Sequence, residues 1–427
     1  MIDLVDLRAN PERYRTACAK KRMKFDIDAF LELDKQYREK KTALETLRAE
    51  QNRVSKEMPK LQGADKERAL AEMKLVAARL KEDGATFTEI ETRWNRDQLF
   101  IPAPALPQVP EGATDSDNVE IRKVGAIPSF PFKIRDHAEL GKQLDILDIE
   151  RGVKIAGSRS YFLKGDGARL QHAVMSCAID FLTKRGFTLF DPPHVVHYNA
   201  MMGTSYFPGG EENAYHLDDR DKEFYLIGTA EVPVTAYHMD EILEESTLPR
   251  RYAGYSPCYR REAGTYGKDT QGIYRVHQFY KVEQVIVCKN DAAESAARHA
   301  ELLKNAEDFL QLLQIPYRVV DVCTGDMGQG QVYKNDIESW MPSRNSYGET
   351  HSCSTFHEFQ ARRLKLRYRN GQGKTEICHT LNNTFVANPR FLIPLLELNQ
   401  QADGSIRIPA PLQPYMGGQE IIVAPGQ

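Results

Sequence analysis

The chain has 427 residues, 41% of them hydrophobic and 27% charged. That is enough apolar material for a sizeable core, so global disorder is excluded, and the length accommodates about two or three domains. With 57 Lys and Arg against 60 Asp and Glu, the formal net charge is −3, which excludes a uniformly basic surface and leaves local basic patches open.

The first residues, Met1 to Arg8, carry acids where a signal peptide needs basic residues and an apolar run. No stretch approaches 18 apolar residues, so no membrane span is expected and the default compartment is the cytoplasm. Between Arg8 and Lys24 stand seven basic residues and one acid, Glu12. This run is either a solvated helical face or a polyanion contact.

From residue 27 the texture changes to Ala, Glu, Lys, Leu and Arg with a heptad spacing. Phe30, Tyr37, Leu44, Gln51 and Met58 recur every seven residues, and Leu33, Lys40, Leu47, Val54 and Leu61 interleave with them. Pro59 and Gly63 break the pattern. It resumes with Met73, Leu80, Phe87 and Trp94, with Val76 and Ile90 between them. Two long helices joined by a tight break predict an antiparallel coiled-coil hairpin over about 27–100, roughly 50 Å long.

Pro102, Pro104, Pro107 and Pro110 predict a stiff linker over 102–114 and a domain boundary. From 115 to 427 the pattern is mixed. Helical stretches fall at 168–185 and 291–314, and strand-like runs at 223–228, 282–288, 316–323, 364–369 and 375–380. Without β-α-β alternation or a Gly-rich nucleotide fingerprint, an antiparallel sheet with flanking helices fits best. Seven widely spaced cysteines with no C-x-x-C pair predict neither a disulfide framework nor a Cys-rich zinc module.

Four stretches carry chemistry. In Tyr225 to Pro233, Thr229 and Glu231 leave a strand at a turn, which suits a small amine or a helix cap. The stretch from Arg250 to Glu283 reads as an extended segment ending in Arg260-Arg261-Glu262, a Gly-rich loop over 264–272, and a returning strand. In extended chain Arg260 and Glu262 share a face, as do Arg275, His277 and Phe279. Two guanidiniums, a carboxylate and a ring suit a nucleotide, and they equally suit a salt-bridged hairpin. Glu349 and Ser352, three apart, offer hard oxygen ligands to a cation such as Mg²⁺. His351, Cys353 and His357 lack zinc-ligand spacing, so no zinc site is expected. In Thr380 to Glu397, Pro394 is tolerable only in a helix's first turn, which places a helix start near Pro389 or Arg390.

Taken in order with the heptad arm, the runs Gly-Thr-Ala-Glu, Tyr-Arg-Arg-Glu-Ala-Gly, Arg-Val-His-Gln-Phe-Tyr-Lys-Val-Glu, Glu-Thr-His-Ser-Cys-Ser and Thr-Leu-Asn-Asn-Thr resemble the seryl-tRNA synthetases of the common bacterial type. These are class II aminoacyl-tRNA synthetases, and the resemblance runs from residue 1 to 425. It implies an α+β fold: an N-terminal tRNA-binding domain at 1–101 with the coiled-coil arm, then a class II catalytic domain at 115–427 with a mixed, mainly antiparallel sheet flanked by helices. It implies serine activation with ATP and Mg²⁺, transfer to tRNA(Ser) and to tRNA(Sec) in a host that has one, and a homodimer. The first class II motif is placed near Arg185 to Pro193, with Pro193 at the dimer interface.

By the same resemblance the catalytic residues are Arg260, Glu262, Arg275 and Arg390. ATP falls to Arg260, Arg261, Glu262, Val276, Phe279, Glu349, Thr350, His351, Ser352 and Arg390, with Glu349 and Ser352 toward Mg²⁺. Serine falls to Thr229, Ala230, Glu231, Glu283, Asn382 and Thr384, because the ammonium needs carboxylates and the hydroxyl needs polar groups. Arg261 stands where a serine is more usual, Asn383-Thr384 where Gly-Ser is, and Asn388-Pro389 where a glycine precedes the arginine. A carrier-protein-loading relative lacks the arm, and a non-catalytic coiled-coil protein has no need of these charged residues together.

Overall fold

The computed structural model describes residues 1–217, 223–264 and 272–426. Two compact units divide at the proline-rich segment: Met1–Pro104 and Ala105–Gln427.

In the first unit, α1 (Leu4–Ala9) and α2 (Pro11–Lys20) precede the two long helices α3 (Ile27–Glu57) and α4 (Gly63–Asp97). At 1.5 Å per residue these run about 46 and 52 Å. Phe30, Leu33, Leu44 and Val54 are buried along the predicted seam, as are Ala69 and Val76 of the return helix. The two irregular heptad positions have physical uses. Lys40 pairs with Asp83 across the hairpin at 2.9 Å, and Gln51 is half-buried. Tyr37 stacks on Trp94 at 4.2 Å and on Phe87 at 5.4 Å.

Asp34, 1% exposed, ties the base of this unit together. It accepts from Arg8 at 2.7 and 2.8 Å, from Arg38 at 3.0 Å and from the Trp94 indole at 3.1 Å. Burial pushes its pKa up, but these donors outweigh burial and hold it below the ordinary value. Arg13 pairs with Asp6, and Arg15 with Glu12 and Asp28. Three arginines of the basic run are thus engaged inside their own unit.

The second unit is organised by an eight-stranded sheet. Its strands are β1 (Val119–Val124), β2 (Thr188–Phe190), β3 (Arg250–Tyr259), β4 (Gln278–Cys288), β5 (Tyr317–Asp321), β6 (Tyr333–Met341), β7 (Ser346–His357) and β8 (His379–Asn388). The order is β1-β5-β6-β7-β8-β4-β3-β2. All neighbours are antiparallel except β2 and β3. One face is covered by α5 (Asp166–Thr183) and α7 (Ala292–Leu312), whose Leu170, Val174, Leu302 and Phe309 pack on Val282, Ile286, Leu381 and Phe385. On the opposite face lie the short helices α6 (Glu231–Ala236) and α8 (Phe359–Leu364), whereas α9 (Leu392–Leu398) packs its Leu392, Leu395 and Leu396 into the same core as α5 and α7.

Three expectations are corrected. Leu364 ends a helix, and only Arg367–Arg369 are extended, because the apolar positions at 364, 366 and 368 are buried from helix and strand alike. The last helix starts at Leu392, not near Pro389 or Arg390, because β8 runs to Asn388 and the following turn takes up 389–391; Pro394 does fall in the first turn. The stiff linker expected over 102–114 is shorter, because from Ala105 the segment belongs to the second unit and packs within it. The Leu106 amide donates to the Val332 carbonyl at 2.9 Å, and Val109 packs with Val322 and Met327.

Gly254 on β3 sits opposite Glu283 of β4. A Cβ there would meet Ala230 at 2.8 Å and the Val234 side chain at 2.9 Å. The bare position lets α6 lie directly on the sheet beside Glu283. Gly254→Ala should therefore destabilise the protein by about 1–3 kcal/mol through overpacking. Equilibrium denaturation measures this, and an unchanged midpoint would contradict the seating of α6.

Candidate active site

At the centre of the sheet, on the face away from α5 and α7, the strand ends enclose a cavity of about 230 Å³. Alternation along β4 turns Phe279, Lys281 and Glu283 into it, while Val282 and Ile286 join the core. On β8, Asn382 and Thr384 face the cavity. A bulge then places both Phe385 and Val386 in the core, so that Ala387 and Asn388 face the cavity again. On β7, Thr350 is the extra residue between the pairs Ile337–His351 and Glu338–Glu349. That bulge lets Glu349 and Thr350 both line the cavity, followed by Ser352 and Ser354.

One group of side chains is acidic. Glu283 accepts three donors at a single oxygen, Oε2: the Lys281 ammonium, the Thr229 hydroxyl at 3.4 Å and the Thr384 hydroxyl at 3.4 Å. Glu231, at the start of α6, accepts from Gln360 of α8 at 2.8 Å. Burial, and then the charge of Glu283, push the Glu231 carboxyl up to about 7. The side-chain amide nitrogen of Asn382 is buried and has no partner among the described residues. Two carboxylates, two hydroxyls and an unpaired amide donor form a receptor for a small molecule with an ammonium and a hydroxyl.

The other group is basic and aromatic. The Arg260 guanidinium lies 5.2 Å from the Phe279 ring centre and donates to the Gly228 carbonyl at 3.1 Å. Arg275 pairs with Glu262 at 2.9 Å. Arg390 donates to the Tyr274 carbonyl at 3.0 Å, lies 4.3 Å from that ring, and reaches the Glu349 carboxylate at 3.4 Å. Arg344 lies 4.1 Å from the same Tyr274 ring. Burial pushes the Glu349 carboxyl up, but Arg390, Lys334, Arg260 and Arg275 outweigh it and hold the pKa below the usual range. Beside it, Asp336 faces Ser352 across the β6–β7 ladder. Its pKa is raised by burial and by Glu349, and its Oδ1 lacks a partner among the described residues. Clustered guanidiniums with a stackable ring suit a polyphosphate carrying a base, and the hard oxygens beside them suit a divalent cation.

The cavity thus gathers Arg260, Glu262, Arg275, Val276, Phe279, Glu349, Thr350, Ser352 and Arg390 with Glu231, Glu283, Asn382 and Thr384. Four expected residues lie elsewhere. The His351 side chain points to the other face of β7, where it packs edge-on against Phe391 and burial lowers its pKa to about 3. Arg261 is exposed, and among the described residues only its amide is engaged, by the Asn213 carbonyl. Thr229 is buried behind Glu283 and also caps α6 through the Glu231 amide at 3.1 Å, and Ala230 packs against Gly254.

Strand alternation also misplaced two motifs. β3 ends at Tyr259, so Arg260 and Glu262 lie beyond it, with Glu262 at φ 53°. β4 begins only at Gln278, so His277 does not share the face of Arg275; its Nδ1 contacts the Arg260 carbonyl at 2.9 Å. Of the loop 264–272, residues 265–271 lie outside the described residues. Lys281, Tyr206, Tyr274 and Ser354 line the cavity without having been singled out. For Lys281 the signal was present, since it stands midway between Phe279 and Glu283 at the strand period.

A family profile described as seryl-tRNA synthetase N-terminal domain matches residues 1–103, and one described as tRNA synthetase class II core domain (G, H, P, S and T) matches residues 215–399. The chain is similar to the serine–tRNA ligase of Deinococcus radiodurans, 43% identical over 425 residues with 100% of both chains covered. It is similar to that of Clostridium tetani at 44% identity over 429 residues, covering 99% of this chain and 100% of the relative. The crystal structure of seryl-tRNA synthetase from Pyrococcus horikoshii complexed with ATP aligns with a TM-score of 0.91 and 36% identity, covering 99% of this chain and 100% of that one.

The raised pKa of Glu231 has a measurable consequence for the empty protein. With a folded value of about 7 against 4.5 for the free side chain, its protonated form favours the fold fully below about pH 4.5, and the advantage is lost as pH rises through 7. Glu231→Gln removes this titration. The variant should gain roughly 1–3 kcal/mol relative to the parent between pH 5 and pH 8. Denaturation at both pH values without ligands checks this, and a pH-independent difference would contradict the burial of an ionisable Glu231.

Proposed function

Because the chain belongs to the seryl-tRNA synthetase family, whose class II core is that of an ATP-dependent aminoacyl-tRNA ligase, we propose that it activates L-serine to seryl-adenylate and transfers the seryl group to tRNA(Ser), and to tRNA(Sec) in a host that has one. The observation that carries this reading is the division of one cavity into an acidic, hydroxyl-bearing group and a guanidinium-rich group around Phe279.

Serine enters with its ammonium toward Glu231 and Glu283 and its hydroxyl among Thr384, Asn382 and Glu283. A pocket that hydrogen-bonds a hydroxyl rejects the analogue lacking it far better than shape does. ATP lies with its adenine on Phe279 beside Val276 and Glu262, its α-phosphate at Arg260 and its γ-phosphate at Arg390. The serine carboxylate attacks the α-phosphorus in line. A carboxyl oxygen–phosphorus bond forms, the bond to the bridging oxygen breaks, and pyrophosphate leaves toward Arg390. Arg260 steadies the charge that develops on the α-phosphate oxygens, and the enclosure holds both reactants in attacking geometry. No protein nucleophile is needed. In the second step the terminal ribose hydroxyl of tRNA attacks the seryl carbonyl and AMP leaves.

Glu349, Ser352 and the unpartnered Oδ1 of Asp336 fit Mg²⁺, because two crowded carboxylates and a hydroxyl are hard oxygen donors, and Asp336 keeps Oδ1 unpartnered among the described residues although Lys334 holds its other oxygen. When bound, Mg²⁺ neutralises phosphate charge that the arginines alone leave unbalanced. The long α3–α4 arm supports recognition of the extended variable arm of the tRNA by shape and backbone. The edge position of β2, with Leu189 43% exposed, supports a homodimer through this edge. No helix among the described residues is long and apolar enough to cross a membrane; the cytoplasm, where tRNA is charged, is the proposed site of action.

Two variants test this assignment. Arg260→Ala should lower serine-dependent ATP–pyrophosphate exchange by a factor of at least about 10², with folding and assembly intact; activity within a few-fold of the parent would contradict the phosphate assignment. Deleting residues about 35–90 should spare exchange and cripple aminoacylation of tRNA(Ser). Equal loss of both activities would mean that the arm serves folding.

A further inference from the structure

Lys281 is 4% exposed, on an interior strand of the sheet, and it lines the cavity. A buried ammonium costs several kcal/mol unless it is paired, so its presence needs a reason. Its partners are the Glu283 Oε2 atom and, at 3.5 Å, the Thr384 hydroxyl. Thr229 and Thr384 also point at Oε2, so all three donors to Glu283 converge on that one oxygen. Oε1 takes no hydrogen bond from the described residues. The carboxylate is therefore fixed in rotation, with one oxygen saturated and the other presented to the cavity.

Charge gives a second reason. Glu231 and Glu283 share this end of the cavity, and a substrate amino acid brings one ammonium there. Two buried carboxylates against one ammonium leave a net negative charge, which Lys281 cancels.

We propose that Lys281 is a positioning residue of the amino-acid pocket, holding Glu283 by one oxygen so that the other faces the substrate and balancing the second of two buried carboxylates. The proposal rests on the serine-activating reading above and adds a residue to it. The groups facing this cluster are Glu231 from α6, Gln360 from α8, Cys258 and Arg260 on and after β3, Tyr206, and Asn382 and Thr384 on β8, with Cys353 of β7 behind it on the core face of the sheet. Burial raises the pKa of Cys258, Cys353 and Tyr206, so these stay neutral at working pH. Arg260 stays charged. That leaves Glu231 as the group whose ionisation responds near neutrality, and Lys281 is one of the charges that lower its pKa.

The test is serine-dependent pyrophosphate exchange in the full-length protein from pH 6 to 9, for the parent, Lys281→Met and Lys281→Arg. In the parent, KM for serine should rise as pH falls below about 7, as Glu231 takes up a proton. In Lys281→Met, KM for serine should rise about tenfold or more, with KM for ATP within about threefold, and the break should move up by about one pH unit or more. Lys281→Arg, which keeps the charge, should return the break to the parental pH. The proposal is overturned by a Met variant with parental serine KM and break. It is equally overturned by one in which the KM values for serine and ATP rise together and kcat falls, with no change of break. If the Met variant does not fold, the Arg variant decides alone: a parental break supports the charge role and a displaced one refutes it. A parent without serine-dependent exchange would remove the functional reading and this proposal with it. A parent that exchanges beside an unaltered Met variant removes this proposal only.

Discussion

Two carboxylates share the floor of one cavity, and most of the surrounding architecture serves to keep them there. Glu283 sits on an interior strand between β3 and β8, where the β8 bulge brings Thr384 directly opposite it. Glu231 arrives from α6, which reaches the sheet only because Gly254 has no side chain. Placed together in a buried site the pair repel, and without compensation the Glu231 carboxyl would be raised beyond its value of about 7. Lys281, Gln360 and two threonine hydroxyls supply the compensation from three elements. The cavity is therefore poised to take a small cation, and its empty state carries a cost that the substrate ammonium relieves.

A second buried carboxylate organises the opposite wall. Glu397 of α9 is fully buried and accepts from the His137 amide and from the Ser343 amide and hydroxyl, while its Oε1 contacts the His137 imidazole. The other nitrogen of that imidazole receives the Ile273 amide at 3.3 Å. One chain of bonds thus links the helix after Arg390 to the turn leading into Tyr274 and Arg275 and to the turn that carries Arg344. The guanidiniums stand on a connected frame, which is what holding a polyphosphate in reacting geometry requires.

The sequence was most informative where the physics is local. The heptads of the arm could be read directly, because a seam repeats every 3.5 residues along one helix. Even the apparent flaw at Lys40 is the site of a cross-hairpin ion pair. The short motifs bearing Arg260, Glu283, Glu349 and Arg390 were legible as a set, through resemblance more than spacing, since each alone reads equally well as a cap or a salt bridge. What stayed hidden depends on pairing between distant segments. Whether His351 or Ser352 faces the cavity turns on a bulge at Thr350 that no local pattern marks. Lys281 stands at the strand period between Phe279 and Glu283, but its burial shows only once the cavity is assembled around it. The near-neutral net charge is silent in a similar way, because a sum over 427 residues says nothing about where arginines cluster around one cavity.

The central claim is that this cavity reads serine and presents its carboxylate to the α-phosphate of ATP. The most direct measurement is ATP–pyrophosphate exchange by the purified parent with Mg²⁺ and a panel of amino acids that includes serine, alanine, threonine, glycine and cysteine. The expected result is exchange that depends on serine, with alanine at least about a hundredfold weaker in kcat/KM because it leaves the hydroxyl-binding groups unpaired. Folded protein that shows no serine-dependent exchange, or that accepts alanine as readily as serine, would contradict it.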